Sequence, residues 1–106
     1  MQSDIEKAFE KYLNIVQEMI NKWYEANHPT LDRYIITYTS GPKYWRVVKE
    51  RDNDRSVHSF VRKADGAILK AGTTWKAPAP NGVRGNITAQ DGGANCITWC
   101  GTKYLR

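Results

Sequence analysis

The sequence predicts an α+β fold in which one long N-terminal amphipathic helix packs on a four- to five-stranded antiparallel meander sheet. Apolar residues recur at helical spacing through the first part of the chain, and β-branched and aromatic residues then alternate with polar ones through short segments separated by turns. A chain of 106 residues has the length of one domain with one modest core. We therefore expect a single domain over residues 1–106.

The helix is predicted over residues 1–28. Ser3 and Glu6 have the spacing of a capping box, in which each side chain accepts a hydrogen bond from the other residue's amide. Pro29 ends the helix, because proline disfavours helical backbone in the residue before it. One face is apolar or aromatic throughout: Ile5, Phe9, Tyr12, Val16, Met19 and Trp23. This stripe fits packing on a sheet, and its spacing of about 3.5 residues also fits the seam of a helix dimer.

An antiparallel meander is predicted over residues 33–71. The segments 33–40, 43–50, 56–63 and 67–71 are rich in β-branched and aromatic residues, and each is followed by turn residues or glycine. Asp65-Gly66 is the strongest turn, because glycine supplies the positive φ that a tight hairpin requires. Consecutive hairpins of this kind place neighbouring strands side by side.

Regular structure is predicted to stop at residue 72. The segment 72–90 contains Pro78, Pro80, Gly82 and Gly85, so we expect an irregular loop. Residues 95–100 have a composition that suits a fifth, edge strand. Cys96 and Cys100 lie in this segment with neither histidine nearby, which favours two free thiols and predicts no metal site.

The charge is distributed unevenly along the chain. Residues 1–32 contain six acidic and three basic side chains, for a net charge of −3. The remaining residues have a net charge of +8, which gives the chain its total of +5. Such asymmetry fits a surface that binds polyanions, and it fits equally a solvated basic sheet beneath an acidic helix. No apolar run is long enough to span a membrane, and no secretory signal is visible. We therefore expect a cytoplasmic protein with no membrane partner.

The middle of the chain contains an unusual combination of motifs. Trp75-Lys76-Ala77-Pro78-Ala79 is followed by Gly82-Val83-Arg84-Gly85-Asn86-Ile87. With the segment 56–60, these motifs resemble small uncharacterised proteins of tailed bacteriophages and viral metagenomes, over roughly residues 44–87. The resemblance implies a phage setting, and hence the cytoplasm of the host cell, and it implies no reaction.

A candidate binding site combines the loop with the basic sheet. Its residues are aromatic or cationic, as in modules that stack bases and follow phosphates: Trp75, Lys76, Arg84, Lys70, Arg46 and Arg62. The structural alternative is that Trp75 closes one end of the core and Arg84 binds loop carbonyls.

Catalytic patterns are missing from the sequence. His28 and His58 lie in no nucleophile or metal-ligand pattern, no serine lies in a glycine elbow, and no phosphate-binding glycine loop is present. We expect no enzyme and no cofactor. The interpretation that follows is an accessory protein that binds a protein partner or itself, with a nucleic-acid-binding module as the alternative.

Overall fold

The predicted N-terminal helix is present as α1 (Asp4–Asn27). The computed structural model describes residues 3–52, 54–72 and 77–102. Ser3 Oγ accepts from the amide of Glu6 at 3.1 Å and Glu6 Oε1 accepts from the amide of Ser3 at 3.2 Å, so the capping box is confirmed. The helix ends where the amide of His28 donates to the carbonyl of Tyr24 at 2.8 Å.

Five strands form one antiparallel sheet in which each strand pairs only with its neighbours in sequence. They are β1 (Ile35–Ser40), β2 (Tyr44–Arg51), β3 (Asp54–Arg62), β4 (Ala67–Ala71) and β5 (Pro78–Asn86), in the order β1-β2-β3-β4-β5. The first four match the predicted segments to within about two residues at each end. Gly66 has a φ of 79° in the turn between β3 and β4. The predicted helix-on-meander fold is therefore confirmed.

The irregular loop predicted over residues 72–90 is wrong in part, because β5 lies within it. Asn86 pairs with Ala67 and Pro78 pairs with Ala71, with two shifts of register between them. Prolines and glycines are tolerated here because β5 is an edge strand, whose outer amides need no partner. A composition that excludes a central strand is thus compatible with this edge.

The edge strand predicted over residues 95–100 is also wrong. Ala94–Cys96 is a 3₁₀ turn, and β6 (Ile97–Thr98) and β7 (Gly101–Thr102) form a separate two-stranded hairpin. Asp91 causes the turn, because its carboxylate accepts from the amides of Gly93 at 2.9 Å and Asn95 at 2.8 Å. Both cysteines are free thiols.

The helix and the C-terminal hairpin lie on the same side of the sheet. Trp99, in the hairpin turn, stacks on Trp23 of α1 with ring centroids 4.1 Å apart. The buried core of this side comes from α1, the sheet and the C-terminal segment: Phe9, Tyr12, Val16, Ile20, Tyr24, Trp45, Val47, Val61, Ile68, Ile87 and Ile97. The apolar stripe of α1 therefore packs within the chain, as the first of the two readings predicts.

A β-bulge changes which residues of β3 reach this core. Val47 pairs with Ser59 and Val48 pairs with Val57, so His58 is an extra residue in β3. Alternation along the strand predicts that His58 shares a face with Phe60. In the structure His58 instead shares the helix-facing side with Ser59, and Phe60 packs on the opposite face.

Candidate functional site

The predicted binding residues do not all come together. Trp75 and Lys76 lie outside the described residues. Ile68 of β4 packs in the core beneath α1, and Lys70 lies two residues further along the same strand. Side chains two apart in a strand face the same side, so Lys70 faces the helix side of the sheet. Arg84, in β5, donates from Nη1 to the carbonyl of Val83 at 3.3 Å. Lys70 therefore lies on the opposite side of the sheet from the arginines of β2 and β3.

Arg46 and Arg62 do lie on one surface. We call it the outer face, the side of the sheet opposite α1, and its central residues are Tyr44, Arg46, Phe60 and Arg62. Arg46 pairs across the strands with Phe60, and Arg62 pairs with Tyr44. The Arg46 guanidinium carbon lies 5.8 Å from the centroid of the Phe60 ring, and Arg62 Nε is 3.1 Å from Asp65 Oδ1. Phe60 is 1% exposed, so its ring is not available for a base to stack on.

Strand β1 provides a second surface, an edge of the sheet. The amide of Gly41, just after β1, donates to the carbonyl of Tyr44 in β2 at 2.9 Å. Backbone groups of every second residue in a strand point the same way, so the amides and carbonyls of Ile35, Thr37 and Thr39 also point toward β2. The backbone groups of alternate residues point away from the sheet. Within the described residues no strand pairs with that side of β1.

Gln17 of α1 covers one half of this edge. Its Oε1 accepts from the amide of Ile36 at 2.8 Å, and its Nε2 donates to the carbonyl of Tyr34 at 3.1 Å. The side-chain amide therefore takes the place of one residue of a neighbouring strand. The other half, comprising the outward backbone groups of Tyr38 and Ser40, is what we call the open edge.

The open edge lacks the features that usually protect an edge strand. β1 reads Ile-Ile-Thr-Tyr-Thr-Ser, with no proline, no charge and no bulge in its pairing with β2. Ile35 is 53% exposed and Tyr38 is 50% exposed. The edge at β5 differs, because prolines and register shifts interrupt it. One edge of the sheet is thus interrupted by prolines and register shifts, and the other is regular and uncharged.

Two cations from the neighbouring strands reach β1 at the open edge. Arg46 Nη1 donates to Thr39 Oγ1 at 2.8 Å on the outer face. Lys63 Nζ donates to Ser40 Oγ at 2.6 Å on the helix-facing side. Beside them lies a cleft of about 350 Å³, lined by residues 39–44 with Arg46 and Phe60. The lining includes the cationic residues Lys43 and Arg46 and no carboxylate.

His58 belongs to a buried chain of hydrogen bonds. Its Nε2 is 2.9 Å from the carbonyl of Thr98 and must donate to it, which leaves Nδ1 to accept from Ser59 Oγ at 2.9 Å. Ser59 Oγ then accepts from the Tyr12 hydroxyl at 2.7 Å. Burial lowers the pKa of His58 to about 4 and raises the pKa of Tyr12. His58 and Ser59 are 1% and 0% exposed, so no substrate reaches this serine–histidine pair.

The described residues contain no group of three or more histidine, cysteine or acidic side chains that could hold a metal ion. Over the same residues, no helix is long and apolar enough to cross a membrane.

The family comparison covers almost the whole chain. Residues 1–105 match the model described as "Family of unknown function (DUF7717)". The chain belongs to this family. No functionally curated protein and no solved structure matches the chain. Membership of DUF7717 therefore assigns no partner or reaction, and the site has to be argued from geometry.

Sequence reasoning missed the open edge, Lys63 and Gln17. The uncharged, proline-free segment 35–40 is visible in the sequence. Which strands become edges depends on the position of β5, and the residues of β5 were predicted to be a loop. The contact of Gln17 with β1 depends on how α1 crosses the sheet, which no periodicity specifies.

Proposed function

We propose that this protein works by binding, and that it takes up an extended segment of a protein partner, or of a second copy, along the open edge of β1. The observation that carries the proposal is the contrast between the two edges. Unprotected edge strands promote aggregation, and natural proteins normally block them. β1 is blocked by Gln17 over one half only, which leaves Tyr38 and Ser40 able to pair.

Strand addition is a common mode of peptide recognition, and β1 meets its requirements. The incoming backbone bonds to outward amides and carbonyls, and its side chains contact pockets on alternate sides of the sheet. The open edge supplies those groups at Tyr38 and Ser40, and the cleft beside Thr39 supplies a pocket. The proposal includes no catalysis and no cofactor.

The setting that we propose is that of a phage-type accessory protein in the cytoplasm of the host cell. The motif resemblance over roughly residues 44–87 supports this setting. A chain of 106 residues has a size that suits a small protein that acts by binding another protein.

Proline at Tyr38 tests the proposal, because it removes one outward amide and leaves the pairing of β1 with β2 intact. Tyr38→Ala is the matched control, since it loses the same ring, which packs edge-on against Phe9 with centroids 5.2 Å apart, and keeps the amide. Peptides selected from a random library on the wild-type protein should bind Tyr38→Ala and fail to bind Tyr38→Pro. Self-association, followed by light scattering against concentration, should show the same difference if the partner is a second copy. Equal behaviour of the two variants in both assays would exclude the open edge.

The second candidate function is nucleic-acid binding on the outer face. It is favoured by the placement of Arg46 and Arg62 on adjacent strands beside Tyr44. Binding of this type must weaken steeply with salt, because cations on the nucleic acid are released. Fluorescence anisotropy of single-stranded oligonucleotides, repeated with Arg46→Gln/Arg62→Gln, would support this function if binding is salt-sensitive and lost in the variant.

A further inference from the structure

From the charges around the open edge, we infer that the segment bound there is acidic, with carboxylates at neighbouring positions that face opposite sides of the sheet. This inference rests on the proposed function and adds the chemistry of the partner. Three observations carry it: the position of Arg46, the position of Lys63, and the neutrality of β1 itself.

Arg46 brings its charge to the edge on the outer face. The residue belongs to β2, one strand in from the edge, but its Nη1 bonds to Thr39 Oγ1 at 2.8 Å. The guanidinium therefore reaches the side chain of Thr39 on β1, the strand next to the space that an added strand would occupy. A carboxylate opposite Thr39 would meet it directly, because side chains of directly opposed residues lie about 5 Å apart. Arginine forms charge-assisted bonds with carboxylates more readily than with neutral groups.

Lys63 does the same on the helix-facing side. It follows β3, and its Nζ bonds to Ser40 Oγ at 2.6 Å while it also lies 5.5 Å from the centroid of the Trp45 ring. Thr39 and Ser40 are consecutive, so their side chains face opposite sides of the sheet. Two consecutive acidic residues in the added strand would therefore each reach one cation. Glu6 of α1 lines a shallow depression together with Lys63, and its carboxylate is bonded to the amide of Ser3.

The composition of β1 argues against a second copy as the occupant. β1 contains no acidic residue, so an antiparallel pair of two open edges would supply no partner for either cation. Such a pair would instead add the Arg46 and Lys63 charges of the second copy to the same edge, where β1 has no acidic residue to match them. Like-charge contacts at an interface disfavour the wrong partner. An acidic segment from another protein avoids this repulsion.

The test starts from random peptides displayed on a particle. They are selected on the wild-type protein and counter-selected on Tyr38→Pro, so that only ligands of the open edge are retained. Enriched peptides are then synthesised with their acidic residues either kept or replaced by the matching amides, and their affinities are measured by anisotropy. The variant Arg46→Gln/Lys63→Gln is compared with Lys7→Gln/Arg55→Gln, which removes the same charge from α1 and from the far end of the sheet. The expected result is enrichment of adjacent Asp and Glu. Affinity should fall about ten-fold both with the amide peptides and with the edge variant, and it should be unchanged with the control.

Each other outcome overturns a defined part. Enrichment of neutral or basic peptides that need the Tyr38 amide would overturn the acidic segment and leave strand addition standing. No enrichment over Tyr38→Pro would overturn both. Binding of an oligothymidylate that needs Arg46 but survives Tyr38→Pro would assign the cations to a nucleic acid and overturn the acidic peptide.

Discussion

At the scale of single residues, the buried chain from Tyr12 through Ser59 to His58 fixes the protonation of three side chains. Ser59 Oγ bonds both to the Tyr12 hydroxyl and to His58 Nδ1, and with a neutral imidazole the direction of each hydrogen bond follows from the carbonyl of Thr98, which can only accept. A protonated His58 would have a proton on Nδ1, and the Ser59 hydroxyl would then have to turn from donor to acceptor. Protonation would therefore reverse this chain of hydrogen bonds, and burial of the imidazolium charge opposes it.

We expect stability to fall as the pH is lowered from 7 to 5. Burial holds the pKa of His58 at about 4, below its ordinary value of 6.5, although the bond to Thr98 opposes this shift. Between these two values the unfolded chain binds a proton that the folded protein does not, so the contribution is complete above 6.5 and is lost as the pH falls toward 4. Between pH 7 and pH 5 this loss amounts to about 2 kcal/mol. Urea unfolding at several pH values measures it.

His58→Gln should remove most of this pH dependence while lowering stability at neutral pH. His28→Gln is the matched control, because it removes the other, exposed histidine and should keep the wild-type slope. An unchanged slope in His58→Gln would contradict the assignment.

Residue-scale features were predictable only where they are local. The capping box depends on residues three apart and was predicted in full. The side of the sheet that His58 faces was not, because one extra residue in β3 reverses the alternation for the part of the strand before it. Nothing in the residues 54–62 marks the position of that bulge.

At the scale of elements, the sheet is defined by its two different edges. β5 interrupts its own ladder with prolines and glycines, whereas β1 relies on a single glutamine from α1. The composition of β1 predicts a strand, and it was predicted. The composition of β5 predicts a loop, because propensity does not distinguish a protected edge from a segment with no partner. The strand became visible only through its pairing with β4.

We expect Gln17→Ala to loosen β1. The change leaves the amide of Ile36 and the carbonyl of Tyr34 without their side-chain partner, which should lower the free energy of unfolding by about 1 to 2 kcal/mol. Hydrogen exchange at the Ile36 amide should become faster, and urea unfolding gives the change in stability. Asn14→Ala, at an exposed position of the same helix, is the control. An Ile36 amide that exchanges as slowly as before would show that Gln17 does not protect the edge.

At the scale of the whole molecule, the sheet is covered by two segments far apart in sequence. α1 supplies five residues of the main core cluster and the C-terminal hairpin supplies Ile97, with the Trp23–Trp99 stack joining the two segments. His58 adds a tie from β3 to the hairpin through Thr98. Helix, sheet and hairpin thus share one buried interior.

This shared interior leads us to expect one cooperative unfolding transition. Far-ultraviolet circular dichroism reports mainly on α1, and fluorescence reports on all four tryptophans, of which Trp23, Trp45 and Trp99 pack in the main core cluster. The two signals should give coincident urea curves. Two separate transitions would mean that the hairpin or the helix unfolds independently. Trp99→Ala should lower the common midpoint without splitting the curves.

The long-range parts of the molecule were the least predictable. The fold class follows from periodicity within segments, so it could be predicted from the sequence alone. The position of the hairpin depends on Gly92 and Gly93, with φ of 68° and 95°, which turn the chain back beneath α1. A Cβ at Gly93 would lie 2.4 Å from Ile68 Cδ1, so the chain passes here with no room for a side chain. Two adjacent glycines in a sequence do not reveal which side chains the backbone will approach in the fold.

The joining of α1 to the hairpin has a consequence for how the protein is made. A ribosome releases α1 early and β6 and β7 late, so Trp23 lacks its stacking partner Trp99 during most of synthesis. The meander can pair strand by strand as it emerges, since every strand bonds only to its neighbours in sequence. Burial of the aromatic end of the helix must wait for the last described strands. Until then the nascent chain presents an exposed apolar surface to chaperones.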